Sequence, residues 1–159
     1  MKKIILGVLL CMGIGMADDA FSGKVILLDQ NATDLVYQLP LNKHQKWLSE
    51  VEFTNKKKMQ FVSVKSMMQV YQHQDYFLKR HLIPAKIEAL YVQDYLNGKR
   101  VDARKAVYVF GSRVVGPHGD DLVPFASPQN AKLFMMKHGG TKMLPFEKLS
   151  KGLIRYLDM

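Results

Sequence analysis

The stretch AVYVFGSRVVGPHGDDLVPFASPQNAKLFMMKH, residues 106–138, carries most of the signals that decide the fold. Residues 106–110 are apolar on both faces, which is expected of a central strand. A glycine-rich loop over residues 111–121 and a short extended segment follow. Ser127 and Pro128 then begin a helix, because serine caps the free N–H groups of a first turn and proline is tolerated at the first helical position. The stretch therefore predicts strand, loop, strand and helix.

The preceding half of the chain has elements of the same kinds. Residues 47–53 alternate in polarity with the two-residue period of a half-buried strand. After a lysine-rich turn, residues 59–62 return as a second strand. Ser63 is expected to cap a helix that runs to residue 77, and residues 87–95 read as a third strand.

An internal duplication accounts for this repetition. Phe61-Val62-Ser63 matches Phe125-Ala126-Ser127 at an offset of 64 residues. At the same offset the inward helix positions correspond, Met67 with Ala131 and Val70 with Phe134. A unit of about sixty residues buries little surface alone, so we expect two similar ββαβ units that share a core.

The first seventeen residues are expected to be a secretory signal peptide. A basic start precedes an uncharged apolar run over residues 4–16, and Gly15 and Ala17 are small at the positions that a signal peptidase reads. The run is too short for a membrane span. We do not expect lipid attachment at Cys11, because Leu10 stands where lipoprotein processing requires a small residue.

This gives a predicted organisation in four parts: a signal peptide at residues 1–17, an extended segment at 18–45, a first ββαβ unit at 46–98, and a second unit with a C-terminal helix at 99–159. The product would then be periplasmic.

No disulfide is possible with one cysteine in 159 residues. The basic balance, +9 overall, favours anionic membrane surfaces or an acidic partner over nucleic acid.

The sequence offers no catalytic constellation. Gly-x-Ser-x-Gly and the phosphate-binding Gly-x-x-x-x-Gly-Lys pattern are absent, and the predicted mature chain has no thiol. We therefore do not expect an enzyme.

Metal binding is the better prospect, since thioether and imidazole groups suit copper, although Met67, Met68, Met135, Met136 and Met143 are expected chiefly to fill the core. His118 stands out, because glycines clear space around it in Gly116-Pro117-His118-Gly119 and proline restricts the backbone.

The pattern from Asp102 to Phe146 closely resembles the NosL family. It comprises Asp102-Ala103, Ala106, Tyr108-Val109, Gly111-Ser112, Gly116-Pro117, Gly119, Pro124-Phe125, Ala131, Phe134, Gly139-Gly140 and Phe146. Members bind copper and help to assemble the copper centre of nitrous-oxide reductase. The resemblance implies an α+β fold of two ββαβ units with mixed β-sheets, similar to the organic mercury lyase fold. It also implies copper as cargo, with a periplasmic copper enzyme or a membrane-bound assembly protein as partner.

The copper residues of the family do not carry over directly. Its Gly-Pro-Met-Gly loop reads Gly-Pro-His-Gly here, so His118 stands where a thioether is expected. The family's Cys-Gly-Met motif falls in register on Tyr37-Gln38-Leu39, which contains no sulfur. Two hypotheses follow: a copper carrier that uses His118 with another donor, for which His44 and Met68 are candidates, or a metal-free binding or scaffolding module on the same fold.

Overall fold

The structure, a computed structural model, describes residues 25–159. The predicted signal peptide, Cys11 and the first residues of the extended segment lie outside this range. The elements are β1 (Ser49–Phe53), β2 (Lys58–Phe61), α1 (Val64–Gln72), α2 (Gln74–Lys79), β3 (Ile87–Gln93), β4 (Arg100–Asp102), β5 (Val107–Phe110), β6 (Val123–Phe125), α3 (Pro128–His138), β7 (Lys142–Pro145) and α4 (Lys151–Tyr156). None of the helices described is long and apolar enough to span a bilayer.

The strands form two sheets, in the orders β2-β1-β3-β4 and β6-β5-β7. The expected α+β class with two ββαβ units is confirmed. The expectation of mixed sheets is wrong in one respect: all pairings between the named strands are antiparallel. In the first unit β2 and β3 run in the same direction, but β1 lies between them. In the second unit β5 lies between β6 and β7 in the same way, so no parallel pair forms.

The two units repeat the same local structure. Ser63 caps α1 by accepting a hydrogen bond from the N–H of Ser66, and Ser127 caps α3 in the same way with Asn130. Both serines have extended backbone angles, which is the usual conformation at this position. The inward positions that the sequence aligned are all buried: Met67, Val70, Ala131 and Phe134. This symmetry is what a duplication predicts.

The largest core cluster joins the two units. It contains Val51 and Phe61 of the first sheet, Tyr108 of the second, and Ile154 of α4. Met67 and Met68 fill it as predicted, whereas Met136, also expected in the core, is 84% exposed on the outer side of α3. Residues 100–102 pair with β3 and so extend the first sheet.

A buried carboxylate joins the segment before β1 to the start of α1. The apolar run at residues 25–28 is typical of a strand, but the structure has none there. Asp34 accepts hydrogen bonds from the N–H of Val62 (3.0 Å) and the hydroxyl of Ser66 (2.6 Å), and from the N–H groups of Val36 and Tyr37. These bonds join the segment to the start of α1 and set the position of Tyr37.

Candidate metal site

His118 lies at the tip of a tight two-residue turn. The N–H of Gly116 donates to the carbonyl of Gly119 (2.8 Å), which leaves Pro117 and His118 as the two turn residues. A Cβ at Gly116 would lie 2.7 Å from the Cβ of Asp121, and Gly119 has a φ of +78°, so both positions require glycine. The imidazole is 54% exposed at this tip.

Tyr37 and Asp158 lie beside the imidazole. The ring of Tyr37 stacks on that of His118, with 4.1 Å between the ring centroids and 12° between the planes. The phenol hydroxyl donates to Oδ1 of Asp158 at 2.8 Å, and Nδ1 of His118 is 3.9 Å from the same oxygen. Oδ1 of Asp158 therefore lies near both the phenol and the imidazole, and His118 and Asp158 line an open hollow at the surface.

Lys65 supports this group from below. Its side chain is fully buried, and its ammonium donates to the carbonyls of His118 (2.7 Å) and Leu157 (2.9 Å). The same nitrogen is 3.3 Å from Oδ1 of Asp158 and 5.3 Å from the centroid of the Tyr37 ring. A buried ammonium requires such oxygen partners, so Lys65 holds the turn, the C-terminal residues and the phenol together.

Burial changes the acid–base behaviour of two neighbours. Desolvation raises the pKa of the Asp121 carboxyl to about 6, even though its oxygen accepts hydrogen bonds from the N–H groups of Lys65 and Leu122 and the ammonium of Lys65 opposes the shift. The pKa of the Tyr37 phenol is raised far above its ordinary value, first by burial and then by its hydrogen bond to Asp158. The phenol is therefore neutral when no metal is bound.

The residues proposed from the sequence do not come together. Met68 is 1% exposed and packs in the main core. His44 is half-buried at the end of a short 3-10 turn, Leu41–Lys43. Among residues 25–159, no hydrogen bond, ion pair or ring contact joins either side chain to His118, and no three His, Cys, Asp or Glu side chains lie close enough together to hold a metal ion.

Sequence reasoning found His118 but missed its surroundings. Tyr37 was noted only because the family register puts a cysteine there, and the structure does bring this position against His118. No sequence pattern indicated the roles of Lys65 and Asp158. Lys65 is a lysine within a predicted helix, and Asp158 is a polar residue near the C-terminus. Their roles depend on contacts between distant parts of the chain.

Comparisons with known proteins agree with this fold. A family model described as NosL matches residues 25–154. The "Copper-binding lipoprotein NosL" of Stutzerimonas stutzeri is 37% identical over 59 residues, which are 37% of this chain and 30% of that relative's length.

Two solved structures are similar to this chain. The crystal structure of the copper chaperone NosL from Shewanella denitrificans has a TM-score of 0.65 and 17% identity, and the match covers 82% of this chain and 98% of that one. The solution structure of apo-NosL from Achromobacter cycloclastes has a TM-score of 0.47 and 21% identity, over 67% and 87% of the two chains. Because the identity is only 17%, the likeness to the Shewanella denitrificans structure shows the fold alone.

Proposed function

Because this chain belongs to the NosL family, we propose that it is an exported copper-binding accessory protein that carries copper to a periplasmic copper enzyme such as nitrous-oxide reductase. The relatives are named as copper-binding and copper-chaperone proteins, which supports copper as the cargo. The predicted signal peptide supports delivery outside the cytoplasmic membrane. A carrier needs no catalytic constellation, and the sequence contains none that we recognise.

The observation that carries this proposal is the presentation of His118. A rigid turn holds the imidazole at the surface, where an ion and a partner protein can both reach it, and Oδ1 of Asp158 lies 3.9 Å from its Nδ1. A side chain held in this way loses little conformational entropy on binding. Met68, in contrast, would reach such an ion only if the core opened.

A metal-free binding module is the second candidate, and Lys65 is the observation that favours it. Its ammonium already contacts three oxygen atoms behind the turn, including the carboxylate of Asp158. In this arrangement the protein's own cation stabilises the turn without any metal. The exposed tip would then be a contact surface for a periplasmic or membrane-bound partner.

Copper titration of matched variants distinguishes the two functions. The chain would carry Cys11→Ser, because a thiol binds copper by itself. Affinity for Cu(I) and Cu(II) is measured by competition with a chelator for the parent, for His118→Asn and for His81→Asn. His81 is also an exposed histidine, and it has a φ of +55° that asparagine tolerates, so this variant is the control.

For a copper carrier we expect His118→Asn to weaken binding by at least about tenfold while His81→Asn has no effect. Equal binding by the parent and His118→Asn would show that copper is held elsewhere. If the parent binds no more tightly than scattered surface histidines do, the metal-free module replaces the carrier.

A further inference from the structure

We propose that a basic surface at one end of the first unit docks on membranes that contain anionic lipid. This basic surface consists of six exposed residues: Lys57, Tyr76, Lys79, Arg80, Leu82 and Lys86. The inference goes beyond the proposed function, because it requires no copper and applies to a carrier and to a metal-free module alike.

Three segments that are separate in the sequence meet at this end of the unit. The N–H of Thr54, in the turn between β1 and β2, donates to the carbonyl of Lys86 at 2.9 Å. The N–H of Ile87, the first residue of β3, donates to the side-chain oxygen of Gln74, the first residue of α2, at 3.2 Å. The β1–β2 turn, α2 and the residues before β3 therefore lie side by side.

Positive charge predominates on these segments. Residues 54–58 and 74–88 contain six lysine and arginine side chains against two carboxylates, those of Asp75 and Glu88. Glu88 is neutralised by Lys56, whose ammonium lies 2.6 Å from the carboxylate. Within residues 25–159, no carboxylate forms an ion pair with any of the four basic side chains of the basic surface. Their charges are therefore available to an anionic surface, which attracts them over a distance set by the salt concentration.

Exposed apolar side chains lie among these charges. Tyr76 is 54% exposed and Leu82 is 44% exposed, and the guanidinium carbon of Arg80 lies 5.5 Å from the centroid of the Tyr76 ring. Residues 79–82 are all exposed, whereas the next residue, Ile83, is buried and anchors the loop in the main core. Aromatic and aliphatic side chains beside lysine and arginine are typical of segments that lie in the headgroup region of a bilayer. This combination favours lipid over a purely ionic contact with an acidic protein.

Docking at this surface leaves the turn of His118 accessible. Lys65, in the first turn of α1, donates to the carbonyl of His118, whereas the basic surface lies beyond the last residue of α1, Gln72. A helix of nine residues is about 13 Å long, so the two features are separated by the length of α1. A chain docked in this way keeps the imidazole away from the lipid and open to solvent.

Co-sedimentation of the exported chain with lipid vesicles tests the proposal. The vesicles contain phosphatidylglycerol and phosphatidylcholine in a ratio of roughly one to two, and vesicles of phosphatidylcholine alone are the neutral reference. Each basic side chain near an anionic surface strengthens binding by about fivefold. We therefore expect Lys79→Gln/Arg80→Gln to lower the partition coefficient on the anionic vesicles by at least about tenfold. All variants share one N-terminus, so the differences between them do not arise from it.

The matched control is Lys132→Gln/Lys137→Gln. It removes the same charge from exposed positions of α3, which also carries the exposed apolar residues Leu133 and Met136. The helix α3 is therefore the specific rival surface, and we expect this pair to lower the partition coefficient by less than about threefold.

Two further measurements separate the ionic and the apolar parts of the contact. Raising the salt concentration from about 0.1 M to about 1 M shortens the Debye length from about 10 Å to about 3 Å, and this should release the parent from the anionic vesicles. Leu82→Ser should weaken binding at about 0.1 M salt by at least about fivefold, whereas Leu133→Ser should leave it unchanged.

Three outcomes would overturn the proposal. A parent that binds anionic vesicles no better than neutral ones does not dock on anionic lipid at all. An equal loss in Lys132→Gln/Lys137→Gln would mean that overall charge, rather than the basic surface, determines binding. If the charge variant binds weakly but Leu82→Ser binds as the parent does, the contact is purely ionic and an acidic protein is the better occupant. Because no copper is added, none of these results bears on copper binding at His118.

Discussion

Replacing Asp121 by asparagine should remove a pH-dependent contribution to the free energy of unfolding. The carboxyl is buried beneath the turn, and its pKa is raised from 3.8 to about 6. The folded state therefore binds the proton more tightly than the unfolded chain does. Such a group stabilises the fold most when it is protonated, and this contribution is lost as the pH rises from about 4 to about 6. Asparagine has nearly the same shape and no charge, so it does not titrate.

The size of the effect follows from the shift in pKa. A difference of about 2 units corresponds to about 3 kcal/mol at 1.36 kcal/mol per unit. The free energy of unfolding of Asp121→Asn, minus that of the parent, should therefore rise by up to about 3 kcal/mol between pH 4 and pH 7. Because both chains share every other titrating group, this difference isolates Asp121.

Urea unfolding at pH 4, 5, 6 and 7 measures this difference directly. Asp120→Asn is measured in parallel as the control, because Asp120 is exposed in the same loop. A flat difference for Asp121→Asn, or one that falls as the pH rises, would refute the reasoning, since it would mean that the buried carboxyl has no raised pKa.

Three further substitutions test the packing that supports the site. Lys65→Met should destabilise the fold by about 3–5 kcal/mol, because it leaves buried oxygens without their ammonium, and hydrogen exchange in the turn of His118 should become faster. Phe134→Ala should cost about 3–5 kcal/mol in urea unfolding, since the ring is 1% exposed in the core. Ser127→Ala should cost about 1 kcal/mol by the same measurement, because it removes the hydrogen bond to the N–H of Asn130. A change below about 0.3 kcal/mol in any of these would contradict the contact assigned to it.

The parts of the fold that the sequence predicted are those that local chemistry determines. Ser63 and Ser127 were expected to cap helices, and both do, because a cap depends on residues three positions away. The central position of the strand at residues 107–110 followed from its apolar faces on both sides. In contrast, the apolar run at residues 25–28 does not form a strand; the carbonyl of Leu27 accepts a hydrogen bond from the side chain of Gln60 in β2 instead.

The candidate site could be predicted only in part, because its members come from distant positions. The glycines around His118 marked the turn, since their backbone requirements are local. A lysine on a helix is usually solvated, so nothing local indicated that Lys65 would be buried against the carbonyls of His118 and Leu157. The presence of a methionine did not decide whether a position is buried, because methionine suits a core and a surface alike. Met68 is buried, whereas Met136 is exposed.

The central claim is that copper binds at the turn that carries His118, between β5 and β6, and locating the metal tests it most directly. Crystals of the Cys11→Ser chain loaded with Cu(II) would be measured on both sides of the copper absorption edge. We predict one strong anomalous peak within bonding distance of the His118 imidazole. A peak at other residues, or a fully occupied chain with no peak at His118, would contradict the account.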